Sequence, residues 1–153
     1  MKRIFAGGLF ALSAFASSAV ADESAWTPTV FNLDNGMEVV VVPDHRAPVV
    51  THMVWYKVGA VDEAEGKSGI AHLFEHVMFK ETDDLAPGEF DSIVSRNGGV
   101  SNAFTSWDYT AYFERVAKDQ LGTMMALEAE RMTDLVINDD PDGPFISERD
   151  VVK

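Results

Sequence analysis

His72-Leu73-Phe74-Glu75-His76 is the stretch from which the rest of the chain is read. On a helix, with about 100° between successive residues, Glu75 lies about 60° to one side of His72 and His76 about 40° to the other. Three polar side chains then share one face within one turn. Ile70, Leu73, Phe74, Val77 and Met78 supply the apolar positions that suit a core. Two neutral imidazoles four residues apart can reach one divalent ion, and zinc accepts such ligands. A glutamate on the same edge can take a proton from a water held there. His72 and His76 are therefore the metal-ligand candidates and Glu75 the acid–base candidate. The bland alternative is a pair of packed or solvated histidines. With only four histidines in the chain, chance seldom produces this spacing.

The 153 residues are 46 % hydrophobic, enough for one compact domain with a core. Formal net charge is -13, and Lys2 and Arg3 are the only charges before Asp22. Beyond that segment, 25 acidic side chains face 10 basic ones, a net of -15. Such a surface disfavours nucleic acid and anionic lipid, and it tolerates basic, unfolded peptide. The chain has no cysteine, so any zinc must be held by histidine and carboxylate.

Residues 1–21 read as a secretory signal peptide. Lys2-Arg3 form the positive start, Ile4 to Val20 the apolar or small run, and Ala19-Val20-Ala21 an Ala-x-Ala cleavage pattern. Export, most simply to a bacterial periplasm, is expected. After cleavage no segment is long and apolar enough to span a bilayer.

Trp26 to Asp44 reads as a hairpin, with strands at Val30 to Leu33 and Met37 to Val42 around the turn Asp34-Asn35-Gly36. A further strand is expected over Val49 to Val58. It contains His52, which, like His45, lacks a second ligand-type neighbour at useful spacing and reads as a surface or packed histidine. The loop Gly59 to Gly69 leads into the motif helix, about Gly69 to Phe79, with Ser68 as its cap. Glu89 to Arg96 reads as a second helix ended by Asn97-Gly98-Gly99. Val100 to Phe104 and Tyr109 to Phe113 read as antiparallel strands. A longer helix is expected over Lys118 to Val136, with the stripe Leu121, Met124, Met125, Met132 and Leu135 as core and Glu128 an anomaly within it. Phe145 to Lys153 opens another helix, capped by Ser147 or an earlier residue. Because the chain stops inside that helix, it reads as the front part of a longer protein.

With these residues in view, the sequence resembles the insulinase, pitrilysin and mitochondrial processing peptidase family of inverzincin zinc peptidases. The resemblance rests on Leu33-Asp34-Asn35-Gly36-Met37 and on the run from Gly66 through His72-Leu73-Phe74-Glu75-His76 to Phe79. It continues with Gly98-Gly99, Asn102-Ala103-Phe104-Thr105-Ser106, Asp108-Tyr109-Thr110-Ala111-Tyr112 and Glu148-Arg149-Asp150-Val151-Val152-Lys153. Glu81 departs from the pattern, since many members carry glycine before the threonine that matches Thr82.

The resemblance implies an α+β fold, with an antiparallel sheet packed against helices as in the N-terminal part of a processing-peptidase-like (LuxS/metallohydrolase-like) domain. Residues 22–153 would be that N-terminal part. It further implies a zinc-dependent endopeptidase acting on peptides or small unfolded proteins. His72 and His76 would ligate one Zn2+, Glu75 would be the general base, and Glu148 a supporting acid at the catalytic site. Asn102 and Ala103 would lie on an edge strand that binds substrate, or be an ordinary strand end. The third ligand is expected to be a glutamate about seven residues after Glu148, past Lys153, so this segment alone would be inactive. Expected partners are peptide substrate and a homologous second domain or subunit closing a chamber. Non-catalytic alternatives are a partner subunit of the same fold and a metal-binding domain.

Overall fold

The computed structural model describes residues 27–138 and 140–152; the leader expected at residues 1–21 lies outside the described residues. The chain divides into two compact units between Arg46 and Ala47. In the first, β1 (Thr29–Asn32) and β2 (Glu38–Val41) pair antiparallel, with Thr29 opposite Val41 and Asn32 opposite Glu38. The turn follows the expected Asn-Gly chemistry. Asn35 Oδ1 accepts the Met37 N–H at 3.0 Å, and Gly36 adopts φ +87°, which a side chain would disfavour.

The second unit contains the strands β3 (Val49–Tyr56), β4 (Val100–Thr105) and β5 (Thr110–Ala117), in the antiparallel order β3-β5-β4. Its helices are α1 (Ile70–Val77), α2 (Glu89–Arg96), α3 (Leu121–Thr133) and α4 (Pro144–Val152). This is the expected α+β arrangement. Phe90 and Val94 of α2, Met124 and Leu127 of α3 and Val116 of β5 form the core, joined by Val50 and Phe79. Strand alternation places Val50 and Val116 on the side of the sheet that faces this core, while Val49, Met53 and Trp55 stay exposed.

The polar centre of this core is Arg131. It is 1 % exposed, with its guanidinium carbon 4.4 Å from the ring centroids of both Phe90 and Tyr112 and 5.2 Å from that of Phe79. Its Nε donates to Glu128 Oε2 at 2.7 Å, and its Nη2 donates to Glu128 Oε1 and, at 3.4 Å, to Glu114 Oε1. Glu114 Oε2 meets His52 Nδ1 at 3.1 Å across the β3–β5 ladder, where the two residues are register partners. The Glu128 that disturbed the apolar stripe is thus a buried hydrogen-bond partner of Arg131. Burial and hydrogen bonding with Glu114 push its pKa up to about 8, against the opposing pull of Arg131. Glu114 moves the other way: burial would raise it, but hydrogen bonds from His52 and Glu128 and the charge of Arg131 bring it below the ordinary range.

Several local expectations are corrected. Ser68 does not cap α1. Gly69 does, at φ +94°, and Glu63 accepts the free N–H groups of Gly69 (3.0 Å) and Ala71 (2.8 Å). The same two bonds hold the Glu63 carboxyl below its usual range. Gly59 anchors the loop before α1, because a Cβ there would lie 2.4 Å from the Trp107 carbonyl oxygen. β5 runs on to Ala117, past the expected end at Phe113. α3 stops at Thr133 because the next residues are drawn onto the loop after α1, with Asp83 N–H donating to Asp134 O and Val136 N–H to Glu81 O. Met125 is exposed, and Leu127 takes its place in the core. α4 begins at Pro144, so Ser147 lies inside it and is not its cap. Glu81 needs no glycine-like backbone, since no described residue other than glycine has positive φ.

Two outcomes follow from the Arg131 cluster. Replacing Arg131 by Leu strands two buried carboxyls and should lower the unfolding free energy by about 3–5 kcal/mol in urea denaturation. The folded chain also holds the Glu128 proton up to about pH 8, whereas the unfolded chain releases it in the ordinary carboxylate range. Stability should therefore fall as pH rises through that interval towards 8. Unfolding curves at pH 6 and pH 9 should show the decline in the wild type and a much flatter profile in Glu128→Gln.

Candidate metal centre and active site

α1 presents the three motif residues as the helical spacing requires. Val77 and Ala71 are buried beneath it, while His72 is exposed and His76 and Glu75 are half-buried. The two imidazoles converge: His72 Nε2 lies 3.2 Å from His76 Nε2, with the rings nearly perpendicular at 88°. Two nitrogens each about 2.0–2.1 Å from a tetrahedral zinc ion are separated by about 3.3 Å. The pair therefore has the span such an ion demands. Without an ion, the same approach requires one nitrogen to donate its proton to the other.

α4 supplies the next layer. Glu148 Oε2 lies 2.9 Å from His76 Nδ1, and its Oε1 lies 2.5 Å from Lys80 Nζ. Burial alone would raise the Glu148 pKa, but the Lys80 ion pair and the His76 hydrogen bond hold it below the ordinary carboxylate range. An ionised carboxylate only accepts, so His76 Nδ1 must carry the proton. That tautomer leaves the Nε2 lone pair facing His72. Lys80 and Glu148 are thus joined in one network with a ligand candidate, and Lys80 had not been singled out from the sequence.

Glu75 reaches the end of the sheet, where its Oε2 accepts a hydrogen bond from Thr105 Oγ1. Thr105, too, had not been singled out. Asn102 and Ala103 lie on β4, which pairs only with β5 among the described residues and so is an edge strand. Asn102 is exposed, and its Oδ1 accepts the Ala103 N–H at 2.9 Å. An apolar cleft of about 400 Å³ runs beside α1, lined by Ile70, Phe74 and Met78 and, across from them, by Tyr56, Val58 and Tyr112.

No third carboxylate or imidazole joins the His72–His76 pair among the described residues. Among the described residues, the one group of three ligand-type side chains within 4.8 Å is His52, Glu114 and Glu128. The sequence reading missed His52's neighbour because it lies 62 residues away. That group does not suit a cation, since Arg131 already occupies both oxygens of Glu128 and one of Glu114.

Residues 38–140 match the model of the insulinase family, peptidase family M16. The zinc protease PqqE of Helicobacter pylori is 48 % identical over 121 residues, covering 78 % of this chain and 27 % of that protein. The crystal structure of a protease from Helicobacter pylori superposes with a TM-score of 0.77 at 45 % identity, covering 82 % of this chain and 30 % of that one. The first half of the periplasmic protease PqqL from Escherichia coli shares the fold, with a TM-score of 0.66 at 24 % identity over 71 % of this chain and 25 % of that one. The chain thus spans about a quarter of the length of the curated relatives it matches. On the family model and on the identity to PqqE, this chain belongs to the insulinase family of peptidases, peptidase family M16.

Proposed function

We propose that this chain carries the catalytic helix of a zinc-dependent endopeptidase that hydrolyses peptides or small unfolded proteins. The observation that carries this reading is the 3.2 Å approach of two imidazole nitrogens on one helical turn, with His76 oriented from behind by Glu148. His72 and His76 hold the ion, and a further carboxylate completes the ligand set. When bound, zinc supplies Lewis acidity that acidifies a water and polarises a peptide carbonyl. Glu75 takes the proton of the attacking water and delivers it to the departing amine nitrogen. Glu148 keeps the His76 lone pair turned towards the ion.

Substrate is proposed to add as a strand to the β4 edge at Asn102 and Ala103. To do so it would compete with the Asn102 side chain for the Ala103 N–H. The apolar cleft beside α1 suits an uncharged side chain of that peptide. The chain's share of its relatives' length, and a neighbour described as the first half of a protease, support a second domain that closes over the substrate. Export to a periplasm is part of the same proposal. It is supported by the leader pattern in residues 1–21 and by the periplasmic location in the name of the PqqL neighbour.

The test uses the full-length, zinc-loaded protein on an unfolded peptide substrate. A chelator should abolish cleavage and added zinc restore it. Glu75→Gln should keep its zinc yet lose about 10²–10⁴-fold in turnover. Wild-type-like turnover in that variant would refute the role of Glu75. A wild type without cleavage would favour the non-catalytic subunit.

A further inference from the structure

A general base must present one oxygen to the water while the carboxylate as a whole stays in place. Glu75 is half-buried on the polar face of α1, and nothing on α1 is hydrogen-bonded to its carboxyl. What holds it comes from the sheet. Thr105, the last residue of β4, donates its hydroxyl proton to Glu75 Oε2. Glu75 Oε1 makes no hydrogen bond among the described residues.

The direction of the Thr105 hydroxyl is itself determined. Thr105 stands opposite Thr110 in the β4–β5 ladder, and Thr110 is 6 % exposed. The Thr110 hydroxyl donates its single proton to the Val58 carbonyl at 3.0 Å and lies 3.5 Å from Thr105 Oγ1. Thr105 is left with its own proton to give, and the charged Oε2 of Glu75 is a stronger acceptor than the Thr110 hydroxyl oxygen 3.5 Å away. Its β-branch restricts χ1, so the strand backbone sets where the hydroxyl points. The Ser106 N–H donates to Tyr109 O at 2.8 Å, which closes the turn and fixes the strand end that carries Thr105.

We propose that Thr105 is a positioning residue for Glu75: it clamps Oε2 and leaves Oε1 free to move the proton. The inference rests on the reading of Glu75 as the base, and its test separates the two. In the full-length zinc-loaded protein, Thr105→Val keeps the shape and removes the hydroxyl. Turnover should fall about 10-fold or more, with KM, zinc content and Tm near those of the wild type. Thr105→Ser should recover most of the rate. Should Val pack poorly, Thr105→Ser against Thr105→Ala makes the same comparison.

In the Glu75→Gln background, Thr105→Val should cost nothing further, because the effect runs through Glu75. Crystal structures should show the Glu75 carboxylate displaced in Thr105→Val and in place in Thr105→Ser. Wild-type turnover in Thr105→Val, a Ser variant no better than Ala or Val, or an unmoved Glu75 would overturn the proposal. A wild type that cleaves no peptide would instead overturn the peptidase function, and the crystallographic comparison would still decide whether Thr105 holds Glu75.

Discussion

One turn of helix has to be wet on one side and dry on the other, and the second unit is arranged around that constraint. Val77 is fully buried beneath α1, while His72 on the opposite side is exposed. Two imidazoles and a carboxylate so crowded would wander or pair at random if left to solvent. Each of them is instead engaged by another polar group. His76 is held from α4 by Glu148, Glu75 from β4 by Thr105, and His72 meets His76 directly. The helix that carries them is held in turn by Glu63, which accepts its first free N–H groups, and by Gly59, which lets the preceding loop lie against the Trp107 carbonyl.

The core answers a different problem. A guanidinium with almost no exposure is tolerable only if charge and hydrogen bonds are supplied on the spot. Arg131 has three aromatic faces and two carboxyls around it, and one of those carboxyls shares a bond with His52. Two carboxylates against one guanidinium leave a negative charge in the core unless a proton is retained, which accounts for the raised pKa of Glu128. β3, β5 and α3 meet at this cluster, so the polar network joins the same elements that the β3–β5 ladder and the apolar core hold together.

Local chemistry was legible in the sequence. The spacing of His72, Glu75 and His76 placed them on one helical face, Asn35-Gly36 marked the hairpin turn, and Glu89 to Arg96 has the ends expected of it. What stayed hidden was non-local. The strand expected to stop at Phe113 continues because Glu114, a charged residue, turns inward to meet Arg131. Glu128 looked misplaced until the same arginine was seen beside it. His52 seemed isolated because its partner lies 62 residues away and directly across the ladder. Glu63 replaced Ser68 at the start of α1 because a long side chain six and eight residues upstream can reach back over a loop, a geometry that no fixed capping offset describes. Thr105 and Lys80 stood inside stretches already noted, but their partners come from other elements.

The central claim is that His72 and His76 ligate one ion through their Nε2 atoms. Zinc K-edge X-ray absorption on the full-length, zinc-loaded protein tests it most directly. The account predicts imidazole scattering from two histidines at about 2.0–2.1 Å, lost when His72 and His76 are both replaced by alanine. A zinc-free protein, or a zinc environment unchanged by that double substitution, would contradict it.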